Sequence, residues 1–201
     1  MKLSMANPDY EAACRYVLDR LEKELPSNLY YHCMSHTRDE VIPAVDQLAA
    51  MEKVDAKSRL ILRTAALFHD LGYVERIEGH ELVSARIARQ VLPGFGYNTR
   101  QVDLICGLIM ATRLPRTPQN LLEEILADAD LDSLGRPDFM QRSLDLRREW
   151  GTFGRQWTDQ EWYIRQIEFL AEHRYFTAAA RQLRDGQKQQ NIQQLRLALG
   201  D

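Results

Sequence analysis

The sequence predicts an all-α protein, and three observations carry that expectation. Apolar residues recur at three- and four-residue spacing through most of the chain. The 10 glycines and 7 prolines fall between those stretches rather than in hairpin turns. No alternating apolar–polar run of useful length occurs. The first predicted helix is Tyr10–Leu25, with Tyr10, Ala13, Cys14, Val17 and Leu21 in rhythm and Pro26 ending it. A second starts near Asn28 and runs through His36, Val41, Val45 and Leu48, with Pro43 marking a kink or a junction of two helices. Ala56–Leu71 is apolar on more than one face at its centre, so it belongs in the core, and Gly72 can stop it. Glu81–Val91 is closed by Pro93 and Gly94, and Thr99–Thr112 carries Val102, Ile105, Leu108 and Ile109 on one side. Pro115 and Pro118 precede a helix over about Asn120–Leu131, and Gly135 and Pro137 precede Asp138–Trp150. The tail, Thr158–Leu199, gives two further helices, the last Gln-rich and expected to face solvent.

The 201 residues suit one domain spanning 1–201, with a motif-bearing core over about 30–135 and C-terminal helices over 138–199 packed on it. No internal repeat is visible. A net charge of −3 and a pI near 6.0 argue against a nucleic-acid coat or a polybasic membrane surface. Cys14, Cys33 and Cys106 are odd in number and far apart, so neither a disulfide framework nor a thiolate zinc knuckle is indicated. The first residues lack the apolar core of a signal peptide, and no stretch approaches the ~18 apolar residues of a membrane span. The expected location is the cytoplasm.

The chemistry concentrates between positions 32 and 132. His32 and His36 are four apart, which on a helix places them on one face. His69 and Asp70 end a strongly apolar helix, AALFHDLG, and a buried imidazole and carboxylate need something to satisfy both. A divalent metal ion does so. Asp128, Asp130 and Asp132 follow another apolar helix in ILADADLDSLG, where neighbouring like charges need a cation or solvent. Helical periodicity does not separate Asp128 from Asp130, since both flank the apolar stripe.

The order His36, His69-Asp70, Asp130 resembles the H…HD…D signature of the HD-domain metal-dependent phosphohydrolases. The resemblance runs from about Tyr30 to Gly135 and implies an all-α helical bundle of the HD type. It assigns His36, His69, Asp70 and Asp130 as ligands of one divalent ion (Mn, Fe, Co, Ni, Zn or Mg). The string Ala129-Asp130-Leu131 resembles the Ala-Asp-Leu of cyclic-nucleotide phosphodiesterases, whose Asp is a ligand, and this selects Asp130 over Asp128. The same relatives carry an HxxxH pair that implies His32 as general acid beside the ligand His36. Two departures stand out. HDLGY has Tyr73 where many members have a phosphate-binding lysine, and only His80 lies between the HD pair and the last Asp, where two-metal members have more histidines. His80, Glu81 and Asp128 are therefore candidates for a weaker second ion or for pocket lining. GHELVSA also resembles a stretch of small stand-alone bacterial HD proteins.

Arg113, Arg116 and Arg136 lie beside the inferred metal-bearing helices and are candidate phosphate clamps. His173 reads as structural, and Glu123-Glu124 and Arg147-Arg148-Glu149 read as polar helix faces. The expected function is hydrolysis of a phosphate ester or anhydride by metal-activated water, with Asp70 and His32 as catalytic residues. The resemblance favours a nucleotide as the small phosphorylated partner, and a homodimer stays open. Two alternatives have different chemistry: a di-iron oxygenase of the same fold, and a non-catalytic metal-binding signalling module.

Overall fold

The structure, a computed structural model, describes residues 8–200. Among the described residues there are nine α-helices and no strand, and none of the helices is long and apolar enough to cross a membrane. They are α1 (Tyr10–Glu24), α2 (Ile42–Met51), α3 (Ala56–Phe68), α4 (His80–Val91), α5 (Thr99–Ala111), α6 (Leu121–Asp130), α7 (Phe139–Thr152), α8 (Asp159–Glu172) and α9 (Ala178–Leu199). Side chains cap most of them: Asp55 accepts from the first turn of α3, Asn120 does so for α6, and full capping boxes begin α5 and α8.

Helix α3 is the central element. Ile61, Leu62 and the whole run Thr64–Phe68 are buried, so it meets neighbours on every side, and α1, α2, α5 and α6 pack around it. His69 and Asp70 leave its C-terminal end, followed by a 3-10 turn over Leu71–Val74. A Cβ on Gly72 would fall on the backbone of His80 and Ser84. The glycine therefore allows the start of α4 to lie directly against the HD dipeptide, and the Gly72 N–H donates to Ser84 Oγ at 2.7 Å. Gly79, with φ +72°, supplies the left-handed turn into α4.

Three expectations are corrected. The second helix does not begin near Asn28. Residues 25–33 form a bend, and the chain enters α2 through a π-helical turn at His36–Val41. His32 therefore lies before the helix rather than on one helical face with His36. Its backbone N–H and that of Tyr31 both donate to Glu149 Oε2 at 2.9 Å, which holds the bend. Pro43 lies where the π-helical turn passes into α2, the junction of two helical segments that the sequence anticipated. The last helix, α9, faces solvent on one side only: Gln182, Gln189, Gln190, Gln193 and Gln194 are exposed, while its other side buries Ala179, Ala180, Lys188, Asn191, Ile192 and Leu195.

The C-terminal helices are tied to the segment that carries Asp130. Asn191 Nδ2 donates to the carbonyls of Leu134 and Arg136 at 2.9 and 3.0 Å, and Arg184 pairs with Asp132 at 2.6 Å. A Cβ on Gly135 would overlap the Arg184 backbone. His173 lies edge-on to Tyr175, with ring centroids 4.5 Å apart, and its Nδ1 is buried without a hydrogen-bond partner among the described residues. Burial, then the positive charges of Lys188, Arg116 and Arg174, pull its pKa down to about 3.

Two outcomes follow from this packing. Gly72→Ala should cost at least about 1–3 kcal/mol, read as a lower thermal midpoint, because backbone and not a flexible side chain occupies the space. The unfolded His173 ring takes a proton near pH 6.5 and the folded one only near 3. Between those values the unfolded state binds more protons, so this contribution is fully present above about pH 6.5 and is lost as pH falls toward 3. His173→Gln, uncharged throughout, should lose less thermal stability than the parent between about pH 7 and 4.5; parallel melting curves at both pH values would disprove it.

Candidate metal centre

Three chain segments bring together the four candidate ligands, of which His36, His69 and Asp130 form the tightest group. The π-helical turn supplies His36, the end of α3 supplies His69 and Asp70, and the last residue of α6 supplies Asp130. π-turns often mark such sites because the extra residue re-aims a side chain. Asp130 Oδ1 lies 3.2 Å from both His36 Nε2 and His69 Nε2. Asp70 Oδ2 lies 3.3 Å from His69 Nε2 and 3.8 Å from His36 Nε2. Ligands about 2.0–2.2 Å from a common ion would be separated by roughly 3.0–3.6 Å.

The outer nitrogens fix which ring edge faces inward. His69 Nδ1 donates to the Ala66 carbonyl at 2.6 Å, and His36 Nδ1 meets Glu40 Oε2 at 3.3 Å. Both Nε2 atoms are thereby left as the inward donors, the arrangement that orients metal-bound histidines. Glu40 is itself held by Arg142 at 3.0 Å. Arg116 binds the other oxygen of Asp130, Oδ2, while its remaining N–H groups donate to the Thr112 and Ala127 carbonyls at 2.9 and 2.8 Å.

Buried atoms without partners point to a cation. His69 Nε2 and Asp70 Oδ2 are both buried and lack a hydrogen-bond partner among the described residues, although they face each other. Orphaned groups of this kind are rare in folded proteins, and two imidazole nitrogens with two carboxylates form a donor set that fits a divalent ion. The electrostatics agree. Burial pulls the His36 pKa down, but Asp130, Glu40 and Asp70 outweigh it and bring it up to about 9. His69 is raised in the same way by Asp70 and Asp130. Burial works to raise the carboxyls, yet Asp70 is held well below the usual range by His69 and His80, and Asp130 by Arg116, His36 and His69. The pocket is negative and favours positive charge at the ring nitrogens, and a cation bound there would displace protons from them.

The other candidates are placed differently. Asp128 is not brought to the cluster: its carboxylate accepts the backbone N–H groups of Phe176 and Thr177 and the Thr177 hydroxyl, all at 2.8 Å. His80 Nε2 lies 3.3 Å from Asp70 Oδ1 and 3.8 Å from Glu81, beside the cluster. Of the three arginines, Arg113 is exposed at the cavity and Arg116 lines it with its guanidinium already engaged. Arg136 pairs with Asp138 and Glu40 and is not among the cavity-lining residues. His32 Nδ1 is paired with Glu149 Oε1, and its ring stacks on Tyr73, which stacks on His80 at 3.9 Å. Burial acts to raise the Glu149 carboxyl, but the His32 ring and the two backbone N–H groups hold it below its ordinary value.

Glu149 is the residue that sequence reasoning missed, having been read as part of a polar face. It is 2% exposed. The signal was present: Phe139, Arg142, Ser143, Leu146, Glu149 and Trp150 follow the spacing of one helical face, so Glu149 falls on the apolar side of α7. Glu40 was missed as well, and only its position one turn after His36 hints at it.

Residues 35–133, just under half of the chain, match the HD domain family, and this segment is an HD domain. A solved structure, that of a predicted HD superfamily hydrolase from an uncultured Thermotogales bacterium, covers 92% of this chain with 91% of its own, at TM-score 0.64 and 21% identity, and so shares the fold. The chain is also similar to the bifunctional uridylyltransferase/uridylyl-removing enzyme of Cereibacter sphaeroides, 28% identical over 107 residues, 45% of this chain and 11% of that protein. The match thus spans about a tenth of that relative's length. His32 and Glu149 both lie outside the family match.

His69→Ala and Asp70→Ala should each remove most bound metal, measured by elemental analysis on purified protein. Asp130→Asn should lower metal affinity much more than Asp128→Asn, which should instead lower thermal stability by about 1–3 kcal/mol through its bonds to residues 176 and 177. Equal metal losses in the two Asn variants would show that Asp128 and not only Asp130 serves the ion.

Proposed function

We propose that this protein is a metal-dependent hydrolase of phosphate esters or anhydrides. One observation carries the reading: His36, His69, Asp70 and Asp130 converge, with two orphaned buried atoms, at a cavity of about 590 Å³ that Asp70, Asp130 and His32 line. The fold neighbour named a hydrolase and the relative named a uridylyl-removing enzyme support it. A divalent ion held by those four residues would neutralise phosphoryl charge and lower the pKa of water toward neutrality.

The chain's own groups do the rest. Asp70 has a second oxygen, Oδ1, on the His80 side of the cluster, able to accept a hydrogen bond from the attacking water. Glu149 accepts a hydrogen bond from the Nδ1–H of His32, which leaves Nε2 as the ring nitrogen free to carry a proton to the leaving-group oxygen. The Arg116 guanidinium holds one Asp130 oxygen, so that carboxylate offers the ion its other oxygen alone. Beside Asp70 the added imidazole is that of His80, and the expected load is one tightly held ion per chain. A nucleotide is the substrate class proposed.

The proton-donor role separates catalysis from metal retention. His32→Ala should keep its metal and lose roughly 10²–10⁴-fold in turnover on an alkyl phosphate ester. The loss should shrink on a nitrophenyl phosphate, whose leaving group needs no proton. Equal losses on both substrates would reject the acid role, and failure of every phosphate ester and anhydride in the presence of Mn²⁺ would reject the function.

A further inference from the structure

The cavity is much larger than a phosphoryl group requires. Its volume of about 590 Å³ falls within the roughly 300–1,000 Å³ of sites that enclose a drug-sized molecule. Its walls differ from segment to segment. The cluster residues His32, Asp70, Asp130 and His80 form one part; α7 and α8 form another, with Phe139, Leu146, Trp150, Trp162 and Phe169 beside the charged Arg165, Glu168 and Glu172. Those two helices lie beyond the segment that matches the HD family.

The α7–α8 part holds a rigid aromatic cluster. Trp162 is fully buried and anchored by its Nε1–H, which donates to Ser143 Oγ at 2.9 Å. Trp150 meets it nearly at right angles, with ring centroids 6.0 Å apart. One turn along α8 from Trp162, Gln166 also lines the cavity. It is 8% exposed, and its side-chain amide makes no hydrogen bond to another described residue. A carboxamide presents a donor and an acceptor side by side, and the polar atoms of this one are not sealed from solvent, so they are open to whatever enters the cavity.

We propose that this part of the cavity is a subsite for a flat heterocyclic ring, with Gln166 reading a donor–acceptor pair on the ring's edge. An alkyl chain would fill the apolar walls and leave the carboxamide unpaired. A sugar would pair with the carboxamide and leave the partly exposed rings of Trp150 and Phe169 without a stacking partner. A ring with an amide-like edge satisfies both. The proposal rests on the phosphohydrolase reading only for what occupies the part beside His32, Asp70, Asp130 and His80.

The test uses metal-free full-length protein. All three tryptophans of the chain, Trp150, Trp157 and Trp162, belong to this one aromatic cluster, so intrinsic fluorescence reports on it directly. Adenosine, guanosine, cytidine and uridine are titrated, with ribose and hexanol as the sugar and alkyl probes. At least one nucleoside should quench saturably while ribose and hexanol do not. Gln166→Met should weaken that nucleoside about ten- to a hundredfold with an unchanged thermal midpoint. Should that variant fold poorly, Trp150→Ala should weaken all binding nucleosides together. Absence of saturable nucleoside binding, tighter binding of hexanol or ribose, or undiminished binding by Gln166→Met would each overturn the subsite. Nucleoside binding without hydrolysis of any phosphate ester would leave the subsite standing and remove the function. Hydrolysis of small phosphate esters without nucleoside binding would do the reverse.

Discussion

Two buried imidazoles, a buried carboxylate and a partly buried one converge, each carboxylate within 3.8 Å of both inner ring nitrogens, and much of this structure exists to hold them there. Bringing such groups out of water is costly unless each charge finds a partner. The fold supplies partners to the outer atoms: the Ala66 carbonyl and Glu40 take the outer ring nitrogens, and Arg116 takes one oxygen of Asp130. It withholds them from the inner ones, since His69 Nε2 and Asp70 Oδ2 have none among the described residues. The π-helical turn at His36 and the close contact of Gly72 with α4 are geometric consequences of that demand.

The aspartates at 128, 130 and 132 show how a short segment divides its labour. Asp130 ends α6 and points one oxygen to the cluster. Two residues earlier, Asp128 accepts the chain as it enters α9. Two residues later, Asp132, in the 3-10 turn after α6, pairs with Arg184 on α9. The outer two carboxylates thus bind the C-terminal helix to the segment whose middle carboxylate faces the metal centre. Movement of α9 would be felt at Asp130 through two short connections, although α9 places no ligand there.

Helix positions and the H…HD…D order were readable in advance because both are local. Amphipathic spacing and punctuation placed α1, α3, α4, α5 and α6 within a residue or two of their observed ends, except that α3 ends three residues earlier, at Phe68, before the HD pair. What failed was set at long range. Pro26, Ser27 and Asn28 announce a turn, but nothing in residues 29–33 announces that the bend continues through them, since the group that stabilises it, Glu149, is over a hundred positions away. The Gln-rich composition of α9 suggested a wet helix, yet Asn191 and Lys188 are buried because backbone carbonyls of Leu134, Arg136 and His173 accept their protons. A polar side chain satisfied by a distant carbonyl carries no trace in its own neighbourhood of sequence.

The same distinction orders the parts of the site. Residues 35–133, the family segment, contain all four groups that converge on the proposed ion. His32 and Glu149, together with α7 and α8, lie on either side of it in sequence and close around the cavity in space. A metal centre constrains ligand identity and angle tightly, because few donor sets satisfy a divalent ion. The surrounding walls answer only to the shape and chemistry of whatever enters. On the proposed function, retention of the ion and choice of substrate would rest on different stretches of the chain. Changes in α7 and α8 can alter what is bound without disturbing His36, His69, Asp70 or Asp130, provided Glu149 keeps its hold on the bend before α2.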